Sequence, residues 1–485
     1  MDLYIVAVVV YLLFLIGIGI YRSRSIKTQD DFMVAGRKTS TWFLIGTLVS
    51  TWIGSGSLFG GAGLAFRMGY SELWMSAGAW VGIAIVYFLA HRVRRIAQYT
   101  VPDILEKRYN ATARILGTVT IIVAYLTIAG YQFRGGGRLL NILLGIDPQF
   151  GAAITCAVVI LFTVIAGMVS IMSIDLFNGI MKTAGLIIAI PLVYMAVGGA
   201  PQIATLPADH FEVFGQNNWV WAMGVFFPTF FLLLGESTMY QKFFAAKDEA
   251  SARRAVVGMI IGVILLETGL ATLAVIGSSK YLHMAPFVSA DGTMDKAATE
   301  TIILHVSRFD LPEWAGMIMI CASVAIILST ANSFLMIPST NITRDIYQRF
   351  INPNVSQEAI VRFQRITIIV LGVVAYVMAN FFKSILDMAF TAYTMVGAGL
   401  TPALLAAFLW KRVTVQGGLA SIIAGMGVTL VITFANILLP QPLMETDYIV
   451  LPAASASILC LIVVSLLTPQ SPVEKWQPFA ENTKF

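Results

Sequence analysis

Apolar runs of roughly 20 residues recur along this chain from one end to the other, and each is about long enough to cross a hydrocarbon core of ~30 Å. Only 12% of the 485 residues are charged, against about 25% in soluble proteins, and the mean hydropathy is +0.81. These features exclude an ordinary cytosolic enzyme. They indicate an all-α polytopic membrane protein.

Charged or turn-rich segments separate thirteen predicted spans. The spans cover residues 3–21, 42–66, 73–90, 114–133, 150–168, 174–198, 219–240, 255–277, 313–338, 366–383, 385–410, 416–439 and 449–467. The first lacks a basic start and a small-residue cleavage site, so it is predicted to be a retained helix and not a signal peptide. Residues 1–485 are predicted to form a single transmembrane domain without a soluble catalytic domain.

The charges between the spans predict an orientation. With the N-terminus outside, the cytoplasmic segments hold 23 lysine and arginine residues, and the opposite segments hold 7. Because positive residues concentrate on the cytoplasmic side, we expect an external N-terminus and a cytoplasmic C-terminus. The lack of long glycosylated external loops favours a bacterial inner membrane. Because the positive residues lie mostly in the predicted cytoplasmic segments of a membrane protein, the net charge of +5 does not imply nucleic acid as a partner. The expected partner is the lipid bilayer, and no obligate protein partner is evident.

Two spans carry sequences that should interrupt a helix inside the membrane. Residues 51–63 contain five glycines and three hydroxylated side chains, and residues 227–238 contain Pro228 and the run Gly235-Glu-Ser-Thr238. Backbone freed from helical bonding survives in lipid only where it lines a cavity. Two interruptions five spans apart predict two five-helix repeats of inverted topology, 42–198 and 219–410, with solute and ions bound between them. The alternative is that the glycines merely allow close helix packing.

Four segments together carry a family resemblance. They are Tyr99-Thr-Val-Pro-Asp-Ile-Leu-Glu-Lys-Arg-Tyr109, Gln241-Lys-Phe-Phe-Ala-Ala-Lys-Asp248, Leu328-Ser-Thr-Ala-Asn-Ser333 leading to Asp345-Ile-Tyr347, and Leu409-Trp-Lys-Arg412 followed by Gln416-Gly-Gly418. In order and spacing they resemble the sodium:solute symporter family, which includes sodium/proline, sodium/glucose and sodium/sialate transporters. The similarity runs from about residue 5 to residue 467.

The resemblance implies a leucine-transporter-like inverted repeat of five plus five helices, with about 13 transmembrane helices in all. Helix 3–21 would precede the repeats, and two additional helices in 416–467 would follow them. The implied activity is import of a small organic solute by alternating access, coupled to co-transported Na+ and without an organic cofactor.

The resemblance also implies cation sites. The main sodium site would comprise the carbonyls of Ser50, Ile53 and Ile326 with the hydroxyls of Ser329 and Thr330. Those hydroxyls could instead bond to carbonyls one helical turn back. A second site, present in some members, would comprise Asp175, Ser329, Asn332 and Ser333, although Asn332 stands where those members have a hydroxyl. One or two sodium ions per cycle are both compatible with this pattern.

The solute pocket is likewise carried over position by position. It comprises Trp52, Ser57, Leu73, Ser76, Ile128, Gln132, Thr229, Leu232, Leu233 and Phe390. This mostly apolar set does not suit a sugar. Ile128, Thr229 and Leu233 replace aromatic residues of proline transporters, and sialate transporters have an arginine at the position of Ile128, so neither specificity transfers. Backbone N–H groups at a half-helix N-terminus favour a carboxylate, so we expect a small amino acid or a monocarboxylate.

Lys182 has no counterpart in the family pattern. It lies seven residues after Asp175, ~10.5 Å along the same helix, so the two cannot touch directly. Its ammonium could pair with a solute carboxylate, replace one transported cation and make transport depend on protons, or form a structural ion pair with Glu267. Glu236, after the second interruption, is either a residue of an inner gate or a solvated residue of the vestibule.

Other classes of function are less consistent with this sequence. A proton-coupled or uncoupled transporter of the same fold is the main alternative to sodium symport. A transporter-like sensor is less expected, because such sensors carry a cytoplasmic signalling domain and only about 18 residues follow the last span. The histidines, at positions 91, 210, 283 and 305, form no metal-binding spacing, and no enzyme active site is predicted.

Overall fold

The computed structural model describes residues 2–24, 29–96, 99–289 and 292–480, and within them the protein is almost entirely helical. The extreme ends of the predicted 1–485 domain, residue 1 and residues 481–485, lie outside the described residues. The α-helices in chain order are α1 (Leu3–Ser23), α2 (Gln29–Val34), α3 (Thr41–Trp52), α4 (Ala62–Met68), α5 (Leu73–Val86), α6 (Ala90–Ile96), α7 (Val101–Arg108), α8 (Ala111–Leu144), α9 (Pro148–Ala196), α10 (Gly199–Ile203), α11 (Trp219–Gly235), α12 (Ser237–Ala245), α13 (Glu249–Tyr281), α14 (Lys296–Thr299), α15 (Ile302–Phe309), α16 (Glu313–Asn341), α17 (Gln357–Ala379), α18 (Ile385–Gly399), α19 (Thr401–Leu409), α20 (Val415–Leu438), α21 (Val450–Leu467) and α22 (Val473–Ala480).

Shorter helical segments of other types connect these helices. Two are π-helical and follow α3 and α16, and four are 3-10 turns. The π-helical segments are Gly56–Gly61 and Ile342–Ile351, and the 3-10 turns are Ala35–Arg37, Gly69–Glu72, Ala208–Phe211 and Thr446–Tyr448.

The number of membrane-crossing helices differs slightly from expectation. Eleven described helices are long and apolar enough to span a bilayer, or twelve if one bent pair counts as a span, so the predicted thirteen is not confirmed. The difference lies in the spans predicted at 42–66 and 73–90. There the chain forms several short elements, and Thr41–Trp52 meets Gly56–Val86 at an angle of 50°. Thr41–Trp52 has 12 residues and is too short to qualify alone, and Gly56–Val86 qualifies only together with it.

A single glycine divides the longest helix. α9 runs for 49 residues, but Gly167 within it has φ 60° and ψ 173°, a conformation that residues with a Cβ rarely adopt. The chain therefore turns between residues 148–165 and 167–196, which is where the sequence predicts two separate spans.

Polar caps fix several helix ends. The side chain of Asn110 accepts a hydrogen bond from the N–H of Ala113 at the start of α8, and Gly145 ends that helix in a left-handed conformation. Asp248 caps α13 in the same way through Ser251. These caps satisfy backbone groups that helix ends leave without partners.

Burial identifies the centre of the bundle. Most residues of α16 and α18 are buried, whereas most residues of α1, α17 and α20 are not, as expected of helices that face lipid. α16 packs against both α8 and α9, and α3 packs against α9, α13 and α16. The interrupted end of α3 consequently lies against the most buried helices of the protein.

Candidate cation and solute site

The first interruption follows Trp52, at the end of α3. Ile53 has an extended backbone with φ −74° and ψ 99°, and the chain resumes as a π-helix at Gly56. A Cβ on Gly54 would lie 2.8 Å from the Thr330 side chain and 2.9 Å from Nε2 of Gln132. Glycine at this position therefore lets bare backbone approach α16 and α8, and the interruption leaves carbonyl groups there for other partners.

The second interruption lies at the later of the two signals within residues 227–238. α11 continues through Pro228 and ends at Gly235, and Glu236 has an extended backbone with φ −70° and ψ 108°. Of the two signals that predict this interruption, Phe227-Pro228-Thr229 remains helical and the run Gly235-Glu-Ser-Thr238 contains the break. A proline removes only one helical hydrogen bond, and packing against neighbouring helices makes this tolerable inside a membrane bundle. The break falls at the run that begins with Gly235.

The predicted ligands of the main sodium site converge where α3 ends against α16. The hydroxyl of Ser329 lies 2.9 Å from the carbonyl oxygen of Ser50 and 3.3 Å from that of Ile326. The hydroxyl of Thr330 lies 3.0 Å from the carbonyl oxygen of Thr51 and 3.2 Å from that of Ile53. All five predicted ligands therefore meet in one buried cluster.

A lysine already contacts this cluster. Nζ of Lys182, from α9, lies 2.5 Å from the Ser50 carbonyl oxygen, 3.0 Å from the Ile53 carbonyl oxygen and 2.6 Å from Oγ of Ser329. An ammonium group has three N–H donors, and here each donor has one acceptor. Sequence reasoning singled out Lys182 but could not identify these partners, because its position along α9 does not reveal which neighbouring atoms it faces.

A sodium ion bound to the same oxygens would lie within about 4 Å of this ammonium nitrogen. Two like charges at that separation repel by about 4 kcal/mol at an effective dielectric constant of about 20. The oxygens suit a cation, but the position at which they converge is held by Lys182. The cluster as folded therefore does not fit an additional ion.

The proposed ion pair between Lys182 and Glu267 is absent. One oxygen of the Glu267 carboxylate accepts a hydrogen bond from Nε1 of Trp52, and the other accepts one from Nε1 of Trp80, each at 2.8 Å. The two indoles thus satisfy both carboxylate oxygens. Lys182 makes no ion pair with a carboxylate in the part of the chain that the structure describes.

The predicted second sodium site is only partly assembled. Asp175 is buried, so it is not a carboxylate at the water interface, and its Oδ2 accepts hydrogen bonds from the hydroxyls of Thr47 at 2.6 Å and Thr51 at 3.3 Å. Ser333 joins this group through Thr51, at 3.1 Å. Nζ of Lys242, from α12, lies 3.6 Å from Oδ2 of Asp175. The ammonium group of Lys242 therefore pairs with the Asp175 carboxylate.

Asn332 contacts different residues from the rest of that predicted set. Its Oδ1 accepts a hydrogen bond from the Thr163 hydroxyl at 3.1 Å. That contact points toward the first half of α9 and leaves Asn332 out of the hydrogen bonds around Asp175. Asn332, which stands where some family members have a hydroxyl, thus contacts Thr163 and not the residues around Asp175.

Gln132 anchors the predicted solute pocket to the first interruption. Its Oε1 accepts the backbone N–H of Ser55 at 2.9 Å, and its side chain is fully buried. Its Nε2 makes no hydrogen bond among the described residues, and the same is true of the hydroxyl of Ser55. The break therefore has two buried donors without partners among the described residues, an amide nitrogen and a hydroxyl.

The other predicted pocket residues play several roles. The hydroxyl of Thr229 donates to backbone carbonyls of Met75 and Phe226, which ties α11 to α5 and occupies the hydroxyl. Trp52 is engaged by Glu267, as described above. Ser57 and Leu73 are half-buried. The buried members are Ser76, Ile128, Leu232, Leu233 and Phe390.

Two tyrosines that sequence reasoning missed also reach this region. The hydroxyls of Tyr131 and Tyr393 lie 3.3 Å apart, and the Tyr393 hydroxyl is so close to Gly56 that a Cβ there would collide with it. A sequence signal was available, because Tyr131 precedes Gln132 and Tyr393 lies three residues after Phe390, within one helical turn.

Glu236 is buried at the second interruption, where it accepts a hydrogen bond from the Thr238 hydroxyl, so it is not a solvated vestibule residue in this conformation.

Two arginines in the C-terminal part of α8 contact residues of other elements. Arg134 donates to the carbonyl of Phe382 at 2.6 Å, and Arg138 pairs with Glu300. Both arginines therefore have structural partners.

The motifs of the family resemblance meet in a separate polar cluster. Arg114 on α8 forms ion pairs with Asp103 and Glu106 of α7 and lies 3.2 Å from Asp345. The hydroxyl of Thr100 also donates to Asp345 at 2.9 Å. This cluster links α7, α8 and the π-helical segment after α16.

A helical bundle with two interrupted membrane helices, the first of which presents backbone carbonyls to a buried cluster of oxygen atoms, has the architecture of a transporter of the leucine-transporter fold. The model of the sodium:solute symporter family matches residues 32–425, and the chain belongs to this family. The predicted family and fold are confirmed. The protein is a multi-pass membrane transporter and not an enzyme.

Named relatives agree with this assignment. The high-affinity proline transporter PutP of Bacillus subtilis (strain 168) is 27% identical over 479 residues, covering 93% of this chain and 95% of the relative. The sodium/proline symporter of Escherichia coli (strain K12) is 26% identical over 440 residues, covering 86% and 85%. Such bacterial relatives are consistent with a location in the inner membrane.

A solved structure of a Na+-coupled sialic acid symporter, in a substrate-bound outward-open state, superimposes with a TM-score of 0.80. The match covers 97% of this chain and 98% of that chain, at 16% identity. At this identity the likeness concerns the fold alone.

Proposed function

We propose that this protein imports a small organic solute that carries a carboxylate, an amino acid or a monocarboxylate, by alternating access around the two interrupted helices. The observation that carries the proposal is the pair of donors at the first break, Nε2 of Gln132 and the hydroxyl of Ser55. A buried donor without a partner costs about 1–3 kcal/mol, so a ligand that supplies acceptor oxygens gains from binding there. A carboxylate supplies two.

The surroundings of these donors support a small solute. The neighbouring predicted pocket residues are mostly apolar and buried, and the Thr229 hydroxyl is already bonded to backbone. A sugar would require several polar side chains to satisfy its hydroxyls. Proline is the first solute to examine, because the two relatives named above are a proline transporter and a sodium/proline symporter.

Membership of the family supports sodium as the coupling ion. The contacts of Lys182 favour a second candidate, in which transport proceeds without sodium at the main site, either coupled to protons or uncoupled. Solute uptake into proteoliposomes distinguishes sodium coupling from the second candidate when an inward sodium gradient is replaced by an equal choline gradient.

Uptake into proteoliposomes tests the proposal. We expect transport of one or more labelled solutes from a panel of proline, other small amino acids and short monocarboxylates, and no transport of glucose. Gln132→Glu retains an acceptor for the Ser55 N–H but removes the free amide donors and adds a negative charge. It should raise KM by about 10- to 100-fold, because a hydrogen bond to a charged group contributes about 1.5–3 kcal/mol.

Gln149→Glu is the matched control, since Gln149 is exposed at the start of α9, and it should leave uptake unchanged. Uptake that is equally fast in Gln132→Glu, or transport of glucose in preference to every carboxylate, would refute the proposal.

A further inference from the structure

We propose that the ammonium group of Lys182 is a resident cation of the main site, and that this protein consequently binds no sodium ion there. The inference concerns the cation site of this transporter, and its consequence for transport rests on the proposed function. Its structural basis is the set of three contacts between Lys182 Nζ and the carbonyl oxygens of Ser50 and Ile53 and Oγ of Ser329.

The contacts account for every donor of the ammonium group. These three oxygens are three of the five predicted sodium ligands. The remaining two are also engaged, since the carbonyl of Ile326 faces the Ser329 hydroxyl and the Thr330 hydroxyl donates to backbone carbonyls of the break. The cluster is therefore complete without an added ion.

The environment of Lys182 differs from that of a structural ion pair. The side chain is 2% exposed, and the partners of its nitrogen are a hydroxyl and two backbone carbonyls. Uncharged oxygens of this kind are the ligands that interrupted helices offer to a transported cation.

The charged groups around Lys182 have other partners. Asp175, on the same helix, lies with Lys242 of α12 and the hydroxyls of Thr47 and Thr51. Glu267 of α13 is held by two tryptophans, and Glu236, next to α12, bonds to Thr238. The hydroxyl of Tyr11, on α1, donates to Asn178. In the described residues each of these groups contacts a residue other than Lys182.

Lys182 also performs the bridging that an ion would perform. Its contacts join α9, the break after α3 and α16, which are three separate elements of the bundle. An ion at this position would hold the break against α16, and the lysine holds it through a covalent tether to α9. The structure therefore assigns to Lys182 the bridge between these three elements at the position predicted for sodium.

The experiment measures sodium binding in the absence of any solute. Purified full-length protein is unfolded thermally while choline chloride is replaced by sodium chloride at constant total salt. Wild type should show no sodium-specific change in Tm. Lys182→Ala, which vacates the position and leaves the oxygens in place, should gain a saturable rise of about 2 °C or more. Lys182→Ser serves if the alanine variant does not fold.

Further variants assign any signal to its site. The gain in Lys182→Ala should vanish when Thr330→Ala is added, because Thr330 belongs to the main site. Lys280→Ala removes a lysine paired with Asp310 outside the site and should remain insensitive to sodium.

A sodium-specific rise in wild type that Thr330→Ala abolishes and Asp175→Asn retains would overturn the inference. Folded Lys182 variants that ignore sodium would also overturn it, because the lysine would then not be what excludes the ion. A wild-type rise that Asp175→Asn abolishes and Thr330→Ala retains would support it, because sodium would then bind elsewhere. Since no solute is present, these results are independent of the uptake panel that tests the proposed function.

Discussion

Glu267 illustrates how a single carboxylate is accommodated inside this bundle. Each of its oxygens accepts one indole N–H, from Trp52 and from Trp80, and the side chain is only 5% exposed. Because Trp52 ends α3 and Trp80 lies on α5, the carboxylate connects α13 to both helices. A buried polar group of this kind stabilises the fold only while all of its partners are present.

Trp80→Phe should therefore lower the thermal stability of the purified protein. The substitution leaves one oxygen of Glu267 without its donor while keeping an aromatic ring, at a cost of about 1–3 kcal/mol. Trp42→Phe is the matched control, since Trp42 is 79% exposed and faces outward from α3. An equal change in Tm for both variants would show that the indole N–H of Trp80 contributes nothing.

Among single residues, Lys182 shows where sequence reasoning reaches its limit. Its position within a span and its distance from Asp175 follow from helix geometry alone. Its three partners come from α3 and α16, and no local pattern specifies how those helices are rotated against α9. The same limit explains why Glu267 was considered as its partner, when two indoles occupy that carboxylate.

The junction between the first interruption and α18 depends on a glycine. The Tyr393 hydroxyl lies where a Cβ on Gly56 would be, and it also faces the Tyr131 hydroxyl of α8. A tightly packed interior adjusts poorly to an added methyl group, which typically costs about 1–3 kcal/mol. The π-helical segment, α8 and α18 are consequently coupled through one position.

Gly56→Ala should lower Tm, and adding Tyr393→Phe should recover part of the loss, because removing the hydroxyl makes room for the methyl group. A double-mutant cycle of thermal unfolding measures this coupling. Gly17→Ala in α1 is the control, since nothing lies within 4 Å of a Cβ there and alanine favours a helix. Strictly additive effects of the two substitutions would contradict the proposed contact.

The helix breaks were predictable to different degrees. The glycine-rich run after Thr51 predicts an interruption because successive glycines weaken a helix, and the structure has one at Ile53. Pro228 gave a misleading signal, because tertiary packing tolerates it within α11, and the break at Gly235 depends on contacts across the bundle. Local propensity identified both interrupted spans, and in the second span the glycine run marks the break whereas the proline does not.

At the level of the entire chain, composition and motif order were sufficient for fold class and family. The apolar runs define a helical membrane bundle, and the four motifs correspond to a family whose model matches residues 32–425. The five main-site ligands that were predicted from the family motifs lie together in the structure. The number of spans was less accurate, because the stretch from Thr41 to Val86, predicted as two spans, bends at a break and counts as at most one.

The distribution of positive charge predicts the orientation of the chain. Because 23 lysines and arginines lie on one face and 7 on the other, a C-terminal fluorescent protein should fluoresce in bacterial cells, and a C-terminal alkaline phosphatase should be inactive. Phosphatase fused within 282–288, on the predicted external side, should be active. The reverse pattern of activities would show that the C-terminus is outside.

The tethered ammonium of Lys182 has a consequence for the energy available from the membrane potential. A sodium ion that crosses with its solute carries one charge through the field, worth about 2.3 kcal/mol per 100 mV. Lys182 stays in the protein, so over a full cycle its charge travels no net distance. A zwitterionic solute carried with Lys182 as the only cation would be moved electroneutrally. Without a co-transported ion it would only equilibrate across the membrane, to the same internal concentration in energised and depolarised vesicles.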